Sequence, residues 1–327
     1  MTHPRDRFDL VPSEAAERAF VDARERGRLH HAWLLCGPEG IGKATFAYRA
    51  ARTLLGARHD ASRGPLGAAP GDPVSQLVSA QSHPDLLVLE RLVEGGKTKK
   101  SISVDQARDL PEFFSKSPSQ APYRVAIIDA ADDLNINAAN ALLKVLEEPP
   151  ERGVLLLVTH GPGRLLATIR SRCRRLTFPA LERGEIARLV ARQTELDTAE
   201  AERIADMARG SPGAALALAS STSLALDALA RRWVDEGQID AAEALSVADG
   251  FRGAEGQVRF EALMDRLAAA IRDRALAAGG RGEAWSELWG RLTDLPERAA
   301  AVNLDRADLL AAALADLKRT RNRAARC

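Results

Sequence analysis

Gly37-Pro38-Glu39-Gly40-Ile41-Gly42-Lys43 sets glycines and a lysine at the spacing of a loop that cradles phosphate. Glycines let backbone N–H groups turn inward on an anion. Lys43 supplies a point charge for β- and γ-phosphates, and a helix starting there adds its dipole. The next position normally carries Ser or Thr to hold Mg²⁺. Here it is Ala44, whose methyl cannot ligate metal. Thr45 comes one residue late and, on a helix, points about 100° away. Gly37, Gly40, Gly42, Lys43 and Thr45 are therefore the contacts of a weak or vestigial nucleotide site. ATP and Mg²⁺ are expected to bind weakly at best, and no cofactor is expected to be required.

Val125-Ala126-Ile127-Ile128-Asp129 is an apolar run ending in a carboxylate. Beside a phosphate loop, such an Asp helps to hold Mg²⁺. It is equally a residue type that ends strands in turns. Both readings of Asp129 stand on the sequence.

These residues need a scaffold, and the pattern around them supplies one. Ala32–Cys36, Leu86–Leu89, Val125–Ile128 and Val154–Val158 are continuous apolar runs bounded by polar or turn residues. Such runs fit strands covered on both faces of a parallel sheet. Arg175–Phe178 adds a fifth candidate. Between them lie helical patterns. Ser103 and Gln106 form a capping box opening a helix to about Phe114. From Asp133 to Glu148, Leu134, Ala138, Ala141, Leu142, Val145 and Leu146 fall on one stripe, and Pro149-Pro150 ends it. The alternation predicts an α/β, doubly wound parallel sheet. Residues 57–83, rich in Gly, Pro, Ala and Ser, read as a long and mobile surface insertion. Gly95-Gly96 marks a hairpin tip. After Pro179 the strand signals stop: residues 180–222 fit three short helices, the third starting at Ser211-Pro212. Residues 223–327 are helical throughout, with Trp233, Trp285 and Trp289 expected in their core.

Composition narrows the function. The chain has 327 residues, 46 basic and 45 acidic, for a formal charge of +1. No global field draws it to nucleic acid or membrane. Cys36, Cys173 and Cys327 are scattered and odd in number, so neither a disulfide framework nor a cysteine zinc site is written here. No run approaches a membrane span. A cytoplasmic protein with no metal is expected.

Several segments resemble bacterial clamp-loader subunits of DNA polymerase III, an AAA+ family. They are Leu29-His30-His31-Ala32-Trp33-Leu34-Leu35, Ser82-His83-Pro84-Asp85-Leu86, Asn137 through Pro150 (NAANALLKVLEEPP), and Ser171-Arg172-Cys173. The resemblance implies an AAA+ RecA-like domain (1–179), a three-helix lid (180–222) and a helical collar for oligomerisation (223–327). It implies a ring with motor subunits and a delta subunit joined through the collar, acting on a sliding clamp and primer–template DNA. It also implies that Arg172 serves in trans as an arginine finger, completing a neighbour's nucleotide site, and that Thr159 corresponds to a polar γ-phosphate sensor. Three positions depart from the motor pattern. Ala44 replaces the metal ligand, and Ala130 stands where a Glu polarises the attacking water. Gly213 stands where a lid arginine is expected. Together they imply the stator, or delta-prime, type. The alternative is a motor subunit that hydrolyses ATP through Lys43 and Asp129. Asn140 and Lys144 either touch DNA or a neighbour, or form the solvated side of their helix. Four zinc cysteines known in many relatives are missing from residues 57–83.

Overall fold

Each apolar run forms a strand because both of its faces are covered. The computed structural model describes residues 3–10, 14–94, 97–99, 101–219, 223–237, 239–279, 282–293, 295 and 305–324. Helix α1 (Glu14–Glu25) precedes β1 (Ala32–Cys36), and α2 (Lys43–Leu54) and α3 (Pro73–Ser79) lead to β2 (Leu86–Glu90). A hairpin, β3 (Val93–Glu94) with β4 (Lys97–Thr98), is followed by α4 (Val104–Ser115), β5 (Arg124–Asp129) and α5 (Ile136–Glu147). Then come β6 (Gly153–Thr159), the short α6 (Ala167–Ser171) and β7 (Arg174–Thr177). The five long strands lie in the order β2-β5-β6-β1-β7, every pair parallel. The expected α/β doubly wound parallel sheet is therefore present. The Gly95-Gly96 tip falls outside the described residues, between β3 and β4.

Strand periodicity sorts the side chains into two cores. On β1, Trp33 and Leu35 join Phe20 of α1 and Phe46, Ala50 and Leu54 of α2. Ala32, Leu34 and Cys36 face the other way, toward Leu110 of α4 and Leu142 and Leu146 of α5. The capping box of α4 forms as expected, with Ser103 and Gln106 exchanging hydrogen bonds. Helix α5 starts later than its apolar stripe, because Asn135 accepts the Ala138 N–H and caps it there.

Residues 57–83 are not the loose insertion their composition predicts. His59 bridges Ala68, α3 is capped by Asp72, and Leu66 and Val78 are fully buried. The anchor is an ion pair far apart in sequence: Arg49 Nε to Glu17 Oε1 at 2.7 Å, with side chains 3% and 2% exposed. Glu17 also accepts the Leu66 N–H, and Arg49 donates to the carbonyls of Phe8 and Arg63. Every polar end of the pair is thus used, which is the condition for tolerating buried charge.

Three helices follow the sheet, α7 (Arg183–Gln193), α8 (Thr198–Ala208) and α9 (Pro212–Ala219). The chain divides into two compact units, Met1–Ala217 and Leu218–Cys327. The second contains α10 (Ser223–Arg231), one π-helical turn (Arg232–Glu236), α11 (Ala241–Asp249), α12 (Gly253–Ala278), α13 (Glu283–Thr293) and α14 (Arg306–Ala324). Trp233 and Trp285 lie in its core with Phe260, Leu263 and Leu314. Trp289 does not; it is 41% exposed. The buried stripe of α13 runs through Trp285, Leu288 and Leu292, and Trp289 sits on its flank. Cys327 lies outside the described residues. Among the described residues, no single helix is long and apolar enough to cross a membrane.

Glu17→Gln leaves Arg49 buried without its counter-charge. A loss of about 3 kcal/mol is expected, read as a lower urea midpoint of the first unit. An unchanged midpoint would show that the pair does not anchor residues 57–83.

Candidate functional site

The phosphate-type loop leaves β1 and enters α2 as the sequence predicts, beside the end of β5. A cavity of about 460 Å³ opens there. Gly40, Gly42, Lys43, Ala44, Thr45, Asp129, Ala130, His160 and Gly213 are among its lining residues, as are His3, Pro4 and Arg7 from the N-terminal segment. The structure thus gathers five of the candidate contacts. Gly37 and Thr159 are not on the wall.

The loop is turned in on itself. Lys43 is 3% exposed. Its Nζ donates to the Gly37 carbonyl at 2.5 Å and the Pro38 carbonyl at 2.6 Å. A buried ammonium needs such oxygens, and here the chain supplies them. The glycine edges are occupied as well. At Gly40, φ is +72°, and a Cβ would stand 2.4 Å from Ser211 Oγ. The N–H of Gly213, in the first turn of α9, donates to the Gly40 carbonyl at 2.9 Å. A Cβ on Gly213 would stand 2.8 Å from that same oxygen, so no arginine fits there without moving the loop. At Gly42, φ is +105°, and a Cβ would meet Leu10 Cδ1 at 2.4 Å. Glycine is needed at 40 and 42, and the close approach it permits is made by protein.

The N-terminal segment is pinned in place. Arg52, fully buried, donates to the Arg5 carbonyl, and its guanidinium lies 4.1 Å from the Phe8 ring centroid. His3 pairs with Glu90 at 3.5 Å. Nothing in the sequence of residues 3–10 marks them as wall residues, since their contacts reach across to α2 and β2.

Charge in the cavity is held against burial. Burial, with the Glu90 carboxylate nearby, pushes Asp129 up to about 6. Burial pulls Lys43 down to about 8, against the attraction of Asp129, Asp132 and Glu39. Thr159 is fully buried and donates to Asp132 Oδ1 at 2.7 Å. The N–H groups of His160 and Gly161 reach the same carboxylate. Asp132 therefore organises the turn after β6, a role that no sequence motif advertised.

Arg172 lies away from this cavity, at the end of α6. Its Nη1 donates to the Thr168 carbonyl and its Nη2 pairs with Glu147 Oε1 of α5, both at 3.1 Å. The side chain is 36% exposed, so the guanidinium is oriented but accessible. Cys173 packs against the core behind it, and burial pushes its thiol up to about 12. Asn140 and Lys144 are exposed on the outer side of α5.

An acid whose folded pKa exceeds its unfolded value weakens the fold as pH rises between the two. The unfolded value of Asp is about 3.9. Wild-type protein should lose stability through Asp129 as pH rises from about 4 to about 6, and Asp129→Asn should not. The stability difference, variant minus wild type, is expected to widen between about pH 4 and about pH 7 in urea denaturation. A difference that stays constant or narrows would rule out a raised Asp129.

Residues 13–182 match the family model described as "DNA polymerase III, delta subunit". A DNA polymerase III subunit delta' of Pseudomonas aeruginosa is 40% identical over 205 residues, covering 62% of this chain and 60% of that protein. The subunit delta' of Escherichia coli K12 is 35% identical over 200 residues, covering 61% and 57%. The aligned region thus spans less than two thirds of the length of either relative. Among solved structures, a DNA polymerase III gamma subunit-related protein of Thermotoga maritima covers 92% of this chain and 99% of its own, at 18% identity and a TM-score of 0.49. With more than half of its length in the family model, the chain belongs to the DNA polymerase III delta-subunit family.

Proposed function

We propose that this chain is a delta-prime-type clamp-loader subunit, a stator that takes part in ATP-driven loading of a sliding clamp during replication without hydrolysing ATP itself. One observation carries the reading: the Lys43 ammonium is satisfied by the Gly37 and Pro38 carbonyls, beside the methyls of Ala44 and Ala130. A Mg²⁺-bound nucleotide needs that ammonium free, an oxygen at position 44 and a base near position 130. The residues present do not fit it. Residual nucleotide binding would have to displace Lys43 from its carbonyls and use Gly37, Gly40, Gly42 and Thr45.

Arg172 is the group proposed to act, in trans, on a neighbouring motor subunit. Its fork is steadied by Thr168 and Glu147 yet reaches solvent. A guanidinium so placed suits γ-phosphate charge better than a flexible ammonium. In this reading, residues 1–179 form the AAA+ domain, 180–222 the lid and 223–327 the collar. The collar would join the motor and delta subunits, with the clamp and primer–template DNA met through the assembly. The compartment proposed is the cytoplasm.

The isolated chain is expected to show negligible Mg²⁺-dependent ATPase. Added to motor and delta subunits, it should raise their DNA-stimulated rate. Arg172→Ala should forfeit about 10³ of any catalysis at the one site it completes, seen as a partial fall in the loader's rate with assembly intact by gel filtration. An unchanged rate would sink the finger. Turnover by the chain alone, abolished in Lys43→Ala, would instead establish the motor reading.

A further inference from the structure

Arg174 opens β7, two residues past the Arg172 that ends α6. Beside it, a notch of about 340 Å³ is lined by Ala19, Asp22, Ala23, Arg26, Arg28 and Arg174. Three guanidiniums meet one carboxylate there. That carboxylate, Asp22, is already committed to Arg26 at 3.7 Å, both side chains being largely exposed. Arg174 lies over the Trp33 ring, 4.8 Å from its centroid. Neither the Arg28 nor the Arg174 guanidinium has a hydrogen-bond or ion-pair partner among the described residues. An exposed arginine is usually a waving, solvated charge. Arg174 differs in that its guanidinium rests over the buried Trp33 ring, a contact that uses none of its N–H donors.

The chemistry of the notch selects its ligand. A guanidinium fork fits phosphate with two parallel hydrogen bonds. The apolar part of the wall is two alanines, which offer no hole for the buried side-chain anchor that dominates protein interfaces. A phosphodiester backbone needs no such anchor and gains by releasing counterions. β7 is also the edge strand of the sheet, so exposed Arg174 stands at its rim. We infer that the notch formed by Arg26, Arg28 and Arg174 holds a phosphate of a nucleic-acid backbone. This contact is separate from the Arg172 finger and does not depend on it.

The test uses the full chain and a fluorescent duplex oligonucleotide, with anisotropy read across a salt series. Arg28→Gln and Arg174→Gln are each expected to weaken binding several-fold for any sequence and to lower the salt slope by about 1. Arg174→Lys, which keeps the charge but loses the fork, should fall between. Asp22→Asn should bind more tightly. Circular dichroism checks folding, and Arg28→Gln, which removes no internal contact, keeps the test decisive if Arg174 variants misfold. Unchanged affinity and slope in Arg28→Gln and Arg174→Gln would overturn the proposal. So would inorganic phosphate binding that the variants abolish while oligonucleotide binding stays intact. Poly-glutamate bound as tightly as DNA, and lost in the variants, would reassign the notch to an acidic protein and equally overturn it.

Discussion

A buried ammonium must be surrounded by oxygen, and the oxygens around Lys43 belong to its own loop. Much of the packing around the loop turns on that arrangement. With Gly37 and Pro38 carbonyls turned to the lysine, the loop is no longer a pure ring of N–H donors. Its glycine edges then become surfaces on which other protein segments settle. Ser211 and Gly213 come down on Gly40 from α9, and Leu10 comes down on Gly42 from the N-terminal segment. The same lack of Cβ that suits glycine to phosphate suits it to close protein contact. The contacts of Ser211, Gly213 and Leu10 thus make the same steric demand on these glycines that a phosphate would.

A similar substitution of forces explains residues 57–83. A Gly- and Pro-rich stretch cannot bury enough of itself to order alone. Here it is ordered from outside, by a carboxylate on α1 and a guanidinium on α2 whose spare hydrogen bonds reach Leu66 and Arg63. The pair gains little over a hydrophobic alternative in raw stability. What it supplies is position, since each lone pair and N–H used fixes one more segment against α1 and α2.

The sheet was legible because parallel strands buried on both faces must be continuously apolar, as Val154–Val158 is. The helices with capping residues were legible too, although Asn135 rather than the apolar stripe decided where α5 begins. Long-range partners were not. Glu17 and Arg49 carry no motif that announces their pairing. Thr159, a phosphate sensor by resemblance, has its hydroxyl taken up by Asp132. Trp289 is expected in the core with Trp233 and Trp285, but Trp285, Leu288 and Leu292 fill the buried face of α13. The motif spacing located the loop and Asp129. It could not say which way Lys43 points, because bound and self-satisfied loops share one sequence.

Two neighbouring arginines show how residue type alone under-determines a side chain's surroundings. Arg172 and Arg174 are two positions apart, and both carry exposed guanidiniums. Arg172 is steadied by hydrogen bonds, to a carbonyl and a carboxylate, which consume part of its fork. Arg174 is steadied by an aromatic face, which consumes none of it. A group that must reach into a neighbour's site gains from a tether that can be exchanged, carboxylate for phosphate. A group that grips a passing polyanion gains from a platform that leaves every donor free. The difference lies in what stands behind each arginine: the exposed Glu147 of α5 in one case and the buried Trp33 of β1 in the other.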